Sequence, residues 1–467
     1  MNKIKLFHAV ALTLTLAACD MAPKYVRPAL PVPEASPQGP AYAGEGGQAI
    51  VAADTAWKDF FIDPRLVRVI GTSLGNNRDL RVALARIGQA RAQYKVQRAD
   101  MFPALDASGS ATFQDQPFAQ QGASGRSDIY AASAGVSAWE IDLFGRVRNL
   151  TTAAQEQYFA SVENRNAAQT ALIAEVANAW LAMAADQERL KIARDLEQTF
   201  GRTLDLTRAR FARGIASELE VRQAQTSHDQ ARSDIAQATT LVAQDQNALN
   251  LLAGATVPAE DLPTAMPDGD VTLANLPSDL PSTALLRRPD IMAAEHQLLA
   301  ANANIGAARA AFFPKISLTA AFGTMSLGLS NLFKSGSDTW SVAPSASLPI
   351  FDFGRNQGNL RYARANHDAM VATYEKSVQT GFREVADALA RRGTMTAQLE
   401  AQTSLRDAAR VGYRLSEARF RAGVDGFLTT LDSQRTLYNA EQSLLATRLT
   451  RATNMVELYR AMGGGLR

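Results

Sequence analysis

The chain has 467 residues, 46% of them hydrophobic and 20% charged, with a formal net charge of +2 and a single cysteine. One cysteine excludes an intrachain disulfide, and a balance this close to neutral lacks the basic footprint that a nucleic-acid partner needs. No run of about 18 apolar residues follows the N-terminal signal, so no membrane-spanning helix is available and any crossing of a membrane falls to strands.

The first elements are a signal and a tether. Lys3 and Lys5 supply a positive start, Leu6 to Leu16 an apolar stretch, and Leu16-Ala17-Ala18-Cys19 a small-residue cleavage site. The quartet resembles a bacterial lipobox, which makes Cys19 the lipidated (palmitate-bearing) first residue of the mature chain. Removal of the two lysines leaves a charge near 2 − 2 = 0. Asp20, directly after the cysteine, resembles a residue that in some bacteria retains lipoproteins at the inner membrane. Residues 23 to 49 then hold six prolines among Gly and Ala, an extended tether.

Next comes a long unit written twice. Residues 84 to 254 return at 295 to 463. Phe102-Pro103 matches Phe313-Pro314 at an offset of 211, whereas Phe144-Gly145-Arg146 matches Phe353-Gly354-Arg355, and Gly254 matches Gly463, at 209. The two-residue difference falls between Pro103 and Phe144. A period this long is one large unit used twice, and not a short-repeat solenoid.

Each copy reads as helix, two strands, long helix, returning helix. Arg78 to Met101 and Ile291 to Phe313 have helical composition. In Leu105 to Phe113 the period switches to 2, as it does in Ile316 to Ala320, Trp340 to Leu348 and, more weakly, Tyr130 to Trp139. Leu318, Val342 and Leu348 fall on one face of this alternation, and Ser317, Ser341 and Ser347 on the other. Aromatic residues near the hairpin tips complete the pattern of a lipid-facing barrel with a wet interior. Four strands alone cannot close in lipid, because both edges would expose unpaired backbone groups.

From Arg146 to Ala253 there is no proline and only two glycines, Gly201 and Gly214. Ala, Leu, Gln, Glu and Arg dominate, all good helix formers, and Arg146 to Arg213 would span about 100 Å at about 1.5 Å per residue. Arg355 to Ala422 repeats this length. Returning helices follow at Ser217 to Ala253 and Phe427 to Met462, after turns that keep Arg210, Phe211 and Gly214 in the first copy and Arg419, Phe420 and Gly423 in the second. Gly145 and Gly354 sit where strand turns into helix and supply backbone angles that other residues avoid. Pro289-Asp290 reads as a helix start.

Four stretches carry a resemblance to a known family: Tyr25-Val26-Arg27-Pro28, Trp139-Glu140-Ile141-Asp142-Leu143-Phe144-Gly145-Arg146, Arg287-Arg288-Pro289-Asp290-Ile291, and Pro349-Ile350-Phe351-Asp352-Phe353-Gly354-Arg355. In this order within a duplicated chain they resemble the TolC-type outer membrane efflux proteins (outer membrane factors), of the NodT-like lipoprotein subgroup. The resemblance implies a mainly α fold with a membrane β-barrel, built as a homotrimer with a twelve-stranded β-barrel and a long periplasmic α-helical barrel. The implied division is a signal at 1–18, a lipid-anchored tether and collar segment at 19–64, a first repeat at 65–254 with its hairpin about 104–143, a linker contributing to the collar at 255–289, and a second repeat with C-terminal tail at 290–467 with its hairpin about 315–350.

Function follows from the same resemblance: an exit duct for a tripartite RND drug efflux system, lipid-anchored in the cell outer membrane and extending into the periplasm. Its partners are a periplasmic adaptor (membrane fusion protein) and an inner membrane RND transporter. The turns at Arg210, Phe211, Gly214 and Arg419, Phe420, Gly423 match the adaptor-docking edge, and Leu428, Asp432 and Arg435, at i, i+4 and i+7 on one helix face, match the residues that narrow the periplasmic mouth. The first copy has Leu219, Gln223 and Thr226 there. A lipid-anchored coiled-coil scaffold, or the duct of a secretion or metal efflux system, are the rival readings. His228, His296 and His367 stand apart without metal-ligand spacing and no P-loop occurs, so neither catalytic residues nor metal nor cofactor is expected.

Overall fold

The computed structural model describes residues 20–35, 37–42, 54–115, 126–267, 269–273, 276 and 281–466. Cys19 and the signal at 1–18 lie outside them. The principal elements are α1 (Pro64–Asn76), α2 (Arg78–Ala99), β1 (Leu105–Asp115), β2 (Arg126–Glu140), α3 (Arg146–Ala212), α4 (Glu218–Ala253), α5 (Pro289–Ala310), β3 (Lys315–Ser326), β4 (Asp338–Ser347), α6 (Arg355–Arg421) and α7 (Phe427–Ala461). Both α3 and α6 run for 67 residues. Helix α1 was not anticipated in the sequence, although Asp63-Pro64 carries its signal. Asp63 caps the helix by accepting from the Arg65 N–H at 2.8 Å, and Pro64 occupies the first turn, where no N–H is needed.

Contacts group the chain into two compact units, and neither coincides with one copy of the repeat. One takes the N-terminal segment ending at Ala29 with 85–162 and 293–375; the other takes 30–84, 163–292 and 376–467. In the first, the strands form a single antiparallel sheet in the order β1-β2-β3-β4. The central pairing, β2 with β3, joins the hairpin of one copy to that of the other. In its helical part Ala153 of α3 meets Ala300 and Ala303 of α5, small residues that let the two backbones approach closely, and Ile305 packs on Leu360 and Ala363 of α6.

The second unit holds the aromatic core. Phe60 stacks on Tyr459 of α7 with ring centroids 3.9 Å apart, and the Tyr459 hydroxyl donates to the Thr55 carbonyl at 2.7 Å. Trp180 of α3 is fully buried and donates from Nε1 to the Asp261 carbonyl at 3.0 Å, so its one polar atom is satisfied. The end of α1 docks on the end of α4 through Ser73 Oγ and Asn77 Nδ2, both of which donate to the Leu252 carbonyl at 2.7 and 2.9 Å. Those carbonyls at a helix terminus have no partner within the helix, and this contact supplies one.

Candidate functional site

The sheet has two chemically different faces. Residues directly opposite in a ladder share a face, so the pairs Leu318↔Pro344, Ala320↔Val342 and Phe322↔Trp340 build one side, extended over β2 by Ala134 and Val136. On the other side Ser108 Oγ lies 3.1 Å from Ser133 Oγ and Ser317 Oγ 2.8 Å from Ser345 Oγ, cross-strand hydroxyl pairs that suit a wet surface. Leu318 and Val342 thus oppose Ser317 and Ser341, as the alternation predicts. β4 ends at Ser347, one residue short of the expected strand, so Leu348 lies past the ladder that would assign it a face.

Strand β2 reads weakly in sequence because it carries a bulge. Val136 pairs with Ala320 but Trp139 with Leu318, so two residues of β2 stand opposite Thr319. Ala138 there adopts φ 50° and its N–H donates to Thr319 Oγ1 at 3.1 Å. The extra residue reverses the parity of the strand. Trp139 therefore returns to the apolar face while Glu140 joins the polar one, where it meets Arg146 and Lys315.

Strand turns into helix at Gly145 (φ 77°) and Gly354 (φ 82°), left-handed conformations that cost a glycine little. Each following helix is capped by a carboxylate, but from different repeat positions. Asp142 accepts from the Arg148 N–H at 2.8 Å, whereas Asp352 accepts from Asn356 and Gly354 at 2.9 Å each. Both place negative charge at the positive end of a 67-residue helix.

The far turns are paired Schellman motifs. Gly214 and Gly423 have φ 71° and 75°. Their N–H groups donate to the Phe211 and Phe420 carbonyls, and Ile215 and Val424 donate back to Arg210 and Arg419 at 2.9 Å each. The two copies then diverge. Phe211 is 46% exposed, but Phe420 is 4% exposed, buried with Phe200, Leu204, Phe427 and Leu431. Of the two rings, Phe211 is open to solvent and Phe420 packs into the core. The arginines divide similarly. Arg210 lies on the Phe420 ring, while Arg419 makes a two-pronged ion pair with Asp425 at 2.6 and 2.9 Å, holding that carboxyl below its usual range.

Just beyond, α7 buries Phe427, Thr430, Leu431 and Gln434 and exposes Leu428, Asp432 and Arg435 on the opposite side. In the first copy Leu219 and Thr226 are exposed at the matching places and Gln223 is half-buried. Arg287 and Arg288 are structural: Arg287 pairs with Asp54 at 2.6 Å, and the buried Arg288 binds Asp290, Glu384 and the Ala461 carbonyl at 2.7 to 2.8 Å. Each histidine sits beside carboxylates: His296 with Glu156 at 2.6 Å, His228 with Glu197 at 3.1 Å and Asp229 at 3.6 Å, and His367 beside Asp368 at 3.5 Å.

A sheet with one apolar and one hydroxyl-lined face, continuous with very long helical hairpins, defines an outer membrane channel subunit. The chain matches the outer membrane efflux protein family over residues 69–255 and 280–464 and belongs to that family. It is 48% identical over 452 residues to the probable efflux pump outer membrane protein TtgC and to the antibiotic efflux pump outer membrane protein ArpC, both of Pseudomonas putida, with 96% of this chain and 93% of each relative covered. The open state of the MtrE outer membrane channel of Neisseria gonorrhoeae superposes with a TM-score of 0.87 at 39% identity, covering 96% of this chain and 99% of that one. Its place is therefore the outer membrane, and its relatives are transport components.

Proposed function

We propose that three copies of this chain form the exit duct of a tripartite multidrug efflux pump of the RND type, working with a periplasmic adaptor and an inner membrane transporter. The observation that carries the reading is the sheet. β1 and β4 each leave an edge unpaired in a single chain, a state that lipid does not tolerate, and the apolar residues Phe322, Trp340 and Val342 stand 58 to 75% exposed. Three such sheets, joined edge to edge, satisfy every backbone group, turn the apolar face to lipid and line the lumen with serine.

The duct is passive and carries cargo selected by the transporter. Leu428, Asp432 and Arg435 close its periplasmic mouth, one carboxylate per chain, and the turns around Phe211 and Gly214 and around Arg419 and Gly423 receive the adaptor. Cys19 carries a lipid, in keeping with a NodT-like lipoprotein. The test is the protein purified from outer membranes. Trimers that resist detergent and heat and conduct ions in a planar bilayer are expected. Stable monomers without conductance would return the chain to the scaffold reading.

A further inference from the structure

Inside one chain, the hairpin of the first copy already meets the hairpin of the second along a defined seam. Where β2 runs beside β3 the ladder ends on Trp139↔Leu318 and Glu140↔Ser317, and the Ile141 N–H donates to the Ile316 carbonyl at 2.9 Å. Just beyond, Phe144 stacks on Phe313 with ring centroids 4.8 Å apart. The repeat offsets name the counterparts of these residues: Ile350 and Phe353 match Ile141 and Phe144 at 209, while Phe102 and Leu105 match Phe313 and Ile316 at 211. All four counterparts are open to solvent. Ile350, Phe353, Phe102 and Leu105 are 94, 91, 61 and 77% exposed, and Phe353 leans on Phe351 with centroids 4.5 Å apart.

These residues flank the two outer strands, Phe102 and Leu105 at the start of β1 and Ile350 and Phe353 after the end of β4. A unit used twice can present its second copy to the first copy of another chain as its own two copies meet, a head-to-tail contact that closes into a ring. Carried by the same offsets, Trp139↔Leu318 becomes Leu348 opposite Ala107 of the partner subunit. The β1·β2 and β3·β4 ladders run without a shift, so the register continues unbroken to Ser347↔Ser108, Ser345↔Ser110 and Val342↔Phe113. The two faces agree with it independently, because hydroxyl meets hydroxyl and Val342 meets an aromatic ring. A slip of one residue would turn every side chain to the wrong face. A slip of two would keep the faces but separate the residues at the junction.

We infer that β4 pairs antiparallel with β1 of a second copy of this chain, Ser347 opposite Ser108 of the partner subunit, and that Phe351 and Phe353 receive the ring of Phe102 of the partner subunit. The inference rests on the reading of three sheets joined edge to edge, and it adds which residues meet and in what register. The two kinds of seam in the barrel then differ. Within a chain, Glu140 binds Arg146 at 2.5 Å and Lys315 at 3.4 Å. At the places matching Glu140 and Lys315 stand Pro349 and Ala104, which cannot form an ion pair. Ring packing takes its place, so the seam between chains depends on Phe102.

The experiment is disulfide trapping of the full chain in outer membranes, read on non-reducing gels after heating, with the wild type and its single Cys19 as background. Residues directly opposite in a ladder lie about 4.5 to 5.5 Å apart at Cα, within the reach of a disulfide, and residues displaced by two lie about 7 to 8 Å apart, beyond it. Ser108→Cys with Ser347→Cys should therefore give covalent dimers and trimers, whereas Ser110→Cys with Ser347→Cys and Asp106→Cys with Ser347→Cys should not. Ser317→Cys with Ser345→Cys, opposite within one chain, should oxidise without linking chains. Phe102→Ala should lower the temperature at which trimers dissociate, and Lys315→Ala should lower it far less. Linkage through a displaced pair, or trimers that form without linkage through any pair, would overturn the register and leave the trimer standing. A Phe102→Ala trimer as heat-resistant as the wild type would overturn the aromatic contact. A wild type that runs as a monomer before heating would overturn the trimer as well.

Discussion

The guanidinium of Arg210 lies over the ring of Phe420, 4.8 Å from its centroid, and donates to the carbonyl oxygen of the same residue at 3.5 Å. An arginine from the turn of the first hairpin thereby closes over a phenylalanine from the turn of the second, although each copy has both an arginine and a phenylalanine at these places. Phe420→Ala should cost about 3 to 5 kcal/mol of stability, as for a buried aromatic ring truncated to alanine. Phe211→Ala should leave the melting temperature in place and weaken adaptor binding instead. Thermal unfolding and pull-down of the adaptor separate the two; equal loss of stability would show that Phe211 is also core.

At the mouth, Asp432→Ala with Arg435→Ala should raise single-channel conductance and lower cation preference, because an exposed charged ring contributes field as well as closure. The first-copy substitutions Gln223→Ala and Thr226→Ala should change little. Planar-bilayer recordings of normally assembled trimers decide it, and an unaltered double mutant would reduce the stripe to a solvated helix face.

In the sheet, Leu318→Arg or Val342→Arg should destabilise the barrel by about 2 to 4 kcal/mol near the bilayer midplane, whereas Ser317→Arg or Ser341→Arg should cost far less. Urea unfolding in lipid vesicles gives the comparison. Similar costs on both faces would contradict the ladder register.

Arg288→Ala should be among the most damaging changes in the chain, about 3 to 5 kcal/mol, because it leaves Asp290 and Glu384 without the cation between them. Burial alone would raise the Asp290 pKa, and Arg288 more than reverses that, holding it below the usual carboxylate value. Its stabilising contribution is therefore present above the ordinary Asp pKa and lost as pH falls through the depressed one. Acid titration of the wild type against Arg288→Ala reads this directly.

Asp245 behaves in the opposite sense. Burial, then the neighbouring Asp186, raises its pKa to about 6. A carboxyl raised in the folded state contributes stability below its unfolded pKa, near 4, and loses that contribution as pH rises through about 6. Asp245→Asn should therefore gain stability relative to wild type between roughly pH 4 and 6 and hold the gain at neutral pH. Melting curves across that window provide the check, and a difference independent of pH would exclude the carboxyl as its source.

The sequence by itself determined the duplication, the long proline-free helices, the period-2 strands and the family, because these are written in local composition and spacing. It also fixed the glycines at Gly145, Gly354, Gly214 and Gly423, where backbone conformation alone sets the requirement. Tertiary structure decided what depends on partners distant in the chain. The bulge at Ala138 is visible only against Thr319. The equivalence of Asp142 and Asp352 as caps is hidden because they occupy different repeat positions and converge only in space. Phe420 and Phe211 look identical in sequence and part company because one of them meets Phe427 and Leu431, while the other meets solvent. Side-chain burial is a property of the neighbours a fold supplies, so a repeated sequence does not guarantee a repeated role.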